Sequence, residues 1–153
     1  MKLGDTIYFI DNNQYHNSIP TVREAQVEKL VLNKQIMAGW REGSTHMATA
    51  LFSGGENWSW FYDRAKAEKA LRPLPKFERG TLLWTLNSKN DPAEIRFGYL
   101  AIGQRNFKVR CYNTAGEQID FELSEMRKKV FTNHEKAVSA SRRAKIHIPF
   151  FGR

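Results

Sequence analysis

The sequence predicts a mainly β protein with short helices, built as two small β-barrels in tandem, each closed by a short C-terminal helix. Three observations predict it. The chain opens twice in the same way, with Gly4-Asp5-Thr6-Ile7-Tyr8 and then Gly80-Thr81-Leu82-Leu83-Trp84. Each opening is followed by a comparable second segment, Val22–Val27 set over Ile95–Leu100, and each half ends in the same step, Phe61 to Lys66-Ala67 against Phe131 to Lys136-Ala137. Short β-branched and aromatic runs are separated throughout by Gly, Pro, Asn and Asp, the punctuation of short strands. The offset between copies, about 70 to 76 residues, is too long for a solenoid repeat and suits small domains. Barrel closure removes the sheet edges that so few strands would leave open. The competing arrangement is one continuous β-sandwich with two helices.

Thr6–Ile10 reads as a strand because it is β-branched and aromatic, and Asp11-Asn12-Asn13 ends it in a turn. Val22 to Leu32 alternates imperfectly and is expected as one strand or two, burying Val27, Leu30 and Leu32. Gly39 and Glu42-Gly43-Ser44 read as turns, Met47–Phe52 as a strand, and Trp58–Tyr62 as the closing strand. Asp63 is placed to cap a helix from Arg64 to Leu71, since its carboxylate can accept first-turn amides. Ala67, Ala70 and Leu71 form its inward face. Pro73 and Pro75 stop it, so residues 1–72 form the first domain, 73–76 the linker and 77–153 the second domain.

The second copy is expected to repeat this plan. Its strands are Thr81–Leu86, Glu94–Ile102, Phe107–Tyr112, Gln118–Leu123 and a short Lys129–Phe131, followed by a helix capped at Thr132 or Asn133 and running to about Ser141. The end, Ile146–Arg153, has no counterpart in the first copy and is expected as an extra strand or an ordered tail.

Charge bounds the function. The net charge is +8, and the two halves share it unequally. Residues 1–76 hold 10 Lys+Arg against 8 Asp+Glu, whereas residues 77–153 hold 14 against 8. Residues 126–153 alone carry eight basic residues against Glu135. A localised positive field attracts polyanions; the plainer reading is a solvated face. No run approaches the roughly 18 to 20 apolar residues of a spanning helix. The opening Met1–Asp5 leads directly into a strand without a long apolar stretch. A cytoplasmic location without membrane attachment is expected, and the single cysteine, Cys111, fits a reducing compartment.

No phosphate-binding glycine loop, metal-binding His-Glu-x-x-His or nucleophile elbow is present, so a non-enzymatic protein with no cofactor and no metal is expected. His16, His46, His134 and His147 do not fall at metal-ligand spacing. Cys111 shares a face with Val109 and reads as a buried thiol. Candidate phosphate contacts are Lys89, Arg96, Arg105, Lys108, Arg110, Arg127, Lys128, Lys129, Arg142, Arg143 and Lys145. Arg96 is set opposite Arg23 in the repeat. Such a spread neutralises phosphates without reading bases, and no helix carries base-reading residues at the required spacing. Trp58, Trp60 and Tyr62 fall on one face of the expected closing strand, with Ser59 and Phe61 on the other. Either those three are exposed for stacking on bases or gripping a peptide, or the tryptophans pack beneath the helix.

The two openings resemble first strands of KOW-like and Tudor-like modules, which are SH3-like barrels. The Phe-x-x-x-x-Lys-Ala closures look like those of small phage-encoded proteins. Together with the size and basic character, they resemble the MotB family of T-even-type phages, early modifiers of transcription that bind DNA. The resemblance implies action in the cytoplasm or nucleoid of an infected cell. The expected partner is double-stranded DNA, bound with low sequence specificity to modulate transcription or genome organisation. A host nucleoid or transcription protein is a possible second partner. Two other readings stand beside it: a protein-interaction module or inhibitor anchored by Trp58–Tyr62, and an RNA- or ribosome-binding protein.

Overall fold

The computed structural model describes residues 1–31, 35–42, 46–53, 56–103 and 106–146. The chain forms two compact units, one built mainly on Met1–Asn13 and Ile19–Lys76, the other on Phe77–Ala101 and the chain from Phe107 onward. Each is a four-stranded antiparallel meander followed by a helix.

In the first unit β1 (Thr6–Asp11), β2 (Thr21–Val31), β3 (Gln35–Glu42) and β4 (His46–Phe52) pair in sequence order, and α1 (Arg64–Leu71) follows. Alternation directs Ile7 and Phe9 of β1 inward, where they meet Ala25, Val27, Ile36, Ala38, Phe52 and Trp60. The Phe9 ring lies 4.9 Å from Trp40 and 4.8 Å from Phe52, centroid to centroid. The Asp63 carboxylate accepts the Ala65 amide at 2.9 Å, and α1 buries Ala67 completely.

The second unit repeats the plan. Its strands are β5 (Leu82–Leu86), β6 (Pro92–Ile102), β7 (Phe107–Asn113) and β8 (Gln118–Glu122). A 3-10 turn (Leu123–Glu125), a single helical turn α2 (Met126–Lys129) and the longer α3 (His134–Ile146) follow. Leu83, Ile95, Phe97, Leu100, Val109 and Cys111 are its most deeply buried members. Asn133 caps α3 by accepting the Lys136 amide at 2.8 Å.

The repeat extends to individual hydrogen bonds. Gly4 donates to the Val27 carbonyl at 2.8 Å, and Gly80 to the Phe97 carbonyl at the same distance. Val27 and Phe97 return the bond to Asp5 and Thr81, each at 2.9 Å. Tyr8 and Phe61 exchange two backbone bonds, as do Trp84 and Phe131. Gly4 and Gly80 share a φ of +85° and +86°, a region disfavoured by a side chain.

Several expectations are corrected. The ladders place Ala25 opposite Ile7 and Ile95 opposite Leu83, so Ala25 matches Ile95 and Arg96 matches Gln26 rather than Arg23. Gly39 is a buried position in the middle of β3, not a turn; a Cβ there would fall 2.2 Å from the Glu28 carboxylate, which covers it. Leu30, expected in the core, is half exposed, although a bulge between Val27 and Lys29 shifts the register of β2 and sets it opposite buried Ile36. Leu32 lies outside the described residues. Trp58–Tyr62 is not a continuous strand. The Asn57 amide bonds the Trp60 carbonyl at 2.8 Å, turning the segment so that only Phe61 pairs with β1. Lys129 belongs to α2 rather than a strand, and α3 runs five residues past Ser141. The tail beyond Ile146 lies outside the described residues.

Neither glycine at the openings has an atom within 4 Å of an added Cβ, so only backbone strain opposes a side chain there. Gly4→Ala and Gly80→Ala are therefore expected to destabilise their own units by similar amounts, about 1–2 kcal/mol each. Urea unfolding of the two single variants checks this.

Candidate nucleic-acid interface

The basic surface of the second unit starts from how α3 is fastened. Positions 137, 141 and 145 recur every four residues and share one face. Ala137 is fully buried, Ser141 donates to the Asn90 carbonyl at 2.5 Å, and Lys145 pairs with Asp91. This face lies on the β5–β6 turn, where the Asn87 side chain accepts the Lys89 and Asp91 amides at 2.9 and 3.0 Å. The opposite spacing, Lys136, Ser139 and Arg143, falls on another face of α3. With Arg127, Phe131 and Glu135 these residues line an open concavity of about 550 Å³.

The expected contact residues separate into two groups. Five are held by acids of their own unit. Arg96 reaches Glu94 at 3.1 Å and the Gly80 carbonyl at 3.2 Å, and Lys108 lies 3.8 Å from Glu122. Lys129 pairs with Glu125, and Lys145 with Asp91. Arg110 is the most committed. Its guanidinium forks onto both Asp120 oxygens at 3.0 and 3.1 Å and donates to the Tyr99 hydroxyl at 2.6 Å. Those bonds raise the Arg110 pKa, and the Arg110 hydrogen bond holds the Asp120 carboxyl below the usual range against the opposing effect of partial burial. The Lys129 ammonium likewise lowers Glu125, with help from the Glu122 amide.

Lys89, Arg127, Lys128, Arg142 and Arg143 are exposed and have no acidic partner among the described residues. Arg105 lies outside the described residues. Lys136 joins the second group, and its seven-residue spacing from Arg143 was the available sequence signal. Lys128 and Lys129 rim a separate concavity of about 470 Å³, floored by Ile95, Ile119 and Phe121. The free cations thus sit on α2, α3 and one turn, rather than across the strands.

The aromatic candidates do not form a stacking platform. Trp60 is 6% exposed and belongs to the core of the first unit, because the turn at Asn57–Trp60 directs both Trp60 and Phe61 inward. Trp58 is half-buried, and only Tyr62 is exposed, edge-on to Trp60 at 4.9 Å. The Tyr62 hydroxyl pKa is raised, first by burial and then by the charges of Asp5 and Glu56. That negative surrounding disfavours a phosphate.

Among the described residues no three His, Cys, Asp or Glu side chains converge to hold a metal, and no helix is long and apolar enough to cross a membrane. No protein family, no curated protein and no solved structure matches this chain.

The Arg110–Asp120 fork acts on stability. Because the folded pKa of Asp120 lies below its unfolded value, the contribution is present above the unfolded pKa, near 4, and is lost as pH falls through the folded value. Asp120→Asn is expected to cost about 1–3 kcal/mol at neutral pH. The gap from wild type should narrow below about pH 4; urea unfolding at both pH values measures it.

Proposed function

We propose that this protein is a non-enzymatic binder of double-stranded DNA that grips the phosphate backbone with little sequence preference, through the α2–α3 face of its second unit. One observation carries the reading. Arg127, Lys136 and Arg143 converge on a single concavity, Arg142 precedes Arg143 on α3, and none of the four has an ion-pair partner among the described residues. Among the described residues Glu135 is the one acid that lines that space. Cations that lack internal partners are available to replace counterions along a phosphate chain, which supplies affinity without sequence information. Among the described residues Phe131 is the one large apolar side chain that lines this concavity.

On this reading each meander, with its bridging segment and helix, curls into a small SH3-like barrel that stays open at the outer edge of its last strand. The helix of the second barrel is its binding element, and the protein modulates transcription or genome organisation in a phage-infected cell. The last step rests on the resemblance of the two openings and closures to the MotB family. Fold class alone does not select DNA over RNA or an acidic protein; the charge arrangement favours an extended polyanion.

Fluorescence anisotropy with duplex DNA, single-stranded DNA and RNA at about 50 and 200 mM salt tests the proposal. Duplex binding indifferent to sequence and steeply weakened by salt is expected. Arg142→Glu with Arg143→Glu should weaken binding and reduce the magnitude of the salt slope by about two. Lys108→Gln, which removes a cation already paired with Glu122, should change binding little. Unchanged binding by the double variant, or no duplex binding at the lower salt, would reject the assignment.

A further inference from the structure

Two four-stranded meanders have four outer edges, and an open edge offers unpaired backbone groups to another strand. Three of these edges are protected. Phe61 pairs across β1 at Tyr8, and Phe131 pairs across β5 at Trp84. The outer strand β8 carries Asp120 and Glu122, which Arg110 and Lys108 hold on its neighbour β7. The fourth edge, β4, shows no such device among the described residues. Its seven residues, His46-Met47-Ala48-Thr49-Ala50-Leu51-Phe52, include no Asp, Glu, Lys, Arg, Pro or Gly. Met47 is 57% and Leu51 52% exposed, although both are large and apolar.

The order of these residues indicates what covers the edge. Read in either direction from Thr49, the strand runs alanine and then a long apolar side chain. We propose that β4 pairs antiparallel with β4 of a second copy of this chain, about a two-fold axis at Thr49. In that register Thr49 faces Thr49, Ala48 faces Ala50, and Met47 faces Leu51 of the other copy. The interface is isologous, as closed dimers require. Each exposed long side chain gains a cross-strand apolar neighbour, the pairing unit that stabilises a sheet. Within the first sheet Met37 already lies opposite Leu51, and Arg41 opposite Met47. The joined outer face therefore runs Met37, Leu51, Met47 and Arg41 across the axis, with no like charges opposed. On the inner face the row is Ala38, Ala50, Ala48 and Trp40, small residues that let the strands approach. A one-residue slip would set Thr49 against alanine and break the match, so the register is specified.

A cysteine at the axis tests this directly. Facing residues of an antiparallel pair lie about 4.5–5.5 Å apart at Cα, within disulfide reach. Thr49→Cys is expected to give a covalent dimer under mild oxidation. Met47→Cys, which faces Leu51 and stands about 13 Å from its own equivalent, is not. The native thiol does not interfere, because Cys111 is fully buried and burial, with the Asp120 charge, pushes its pKa up to about 12. Sedimentation equilibrium should show a dimer for the wild type. Thr49→Lys, which opposes like charges on an exposed position, should weaken it about tenfold or more. Circular dichroism on that variant confirms retained folding. A monomeric wild type overturns the proposal, whether or not its edge takes a strand from another protein. So does a dimer that fails to crosslink at position 49, or one that the folded Thr49→Lys variant leaves intact.

Discussion

The two backbone hydrogen bonds between Tyr8 and Phe61, with their counterparts between Trp84 and Phe131, hold each helix to the first strand of its own sheet. A meander of four strands places its first and last strands at opposite edges, and the chain after the last strand must return to the first to cover it. The return is made by one residue in each unit. Once Phe61 or Phe131 is paired, the next residues are in position for a cap, Asp63 or Asn133, and the helix begins. The first helical residue then meets the ring of the paired strand residue. The Arg64 guanidinium lies 5.9 Å from the Tyr8 ring centroid, and the His134 ring 4.6 Å from Trp84. Loss of the bridge would uncover the strand edge and loosen the start of the helix, which its buried alanine, Ala67 or Ala137, continues to hold.

Much of this was legible because it depends on local chemistry. Glycine at the two openings, a carboxylate or amide at each cap, and alanine on each inward helix face are short-range requirements, visible without knowing strand pairing. What was not legible depends on register. Val27 and Leu30 are three residues apart, so strict alternation would part them; the bulge before Lys29 sets Leu30 opposite buried Ile36, and Leu30 is nonetheless half exposed toward the end of β2. Gly39 resembles a turn glycine, whereas its role is to leave room for the Glu28 side chain above a strand. Trp60 and Phe61 are neighbours in sequence, so alternation separates them; the turn at Asn57 puts both in the core.

The candidate site follows the same division. That the positive charge gathers toward the C-terminal end is a fact of composition. Which cations are free is a fact of pairing between strands. Arg110 and Lys108 look like surface cations until β8 is set beside β7, when Asp120 and Glu122 come opposite them. Lys136, by contrast, gained significance only when α2 and α3 were brought together around one concavity.

The difference between the two copies that bears on charge lies at the end of one helix. Counting from the first helical residues, Arg64 and His134, position 73 matches position 143. The first copy has proline there, with Arg72 as the last cap, and proline cannot continue a helix without losing a hydrogen bond and clashing with the preceding turn. The second copy has Arg143, and the residues from Arg142 to Lys145 are good helix formers. Helix α3 therefore runs for 13 residues where α1 has 8. The added turn carries Arg142, Arg143 and Lys145, and Lys145 is fastened to Asp91 while the two arginines remain exposed. The second unit thus carries a cationic helical extension that the first lacks, on a sheet, bridge and cap of comparable plan.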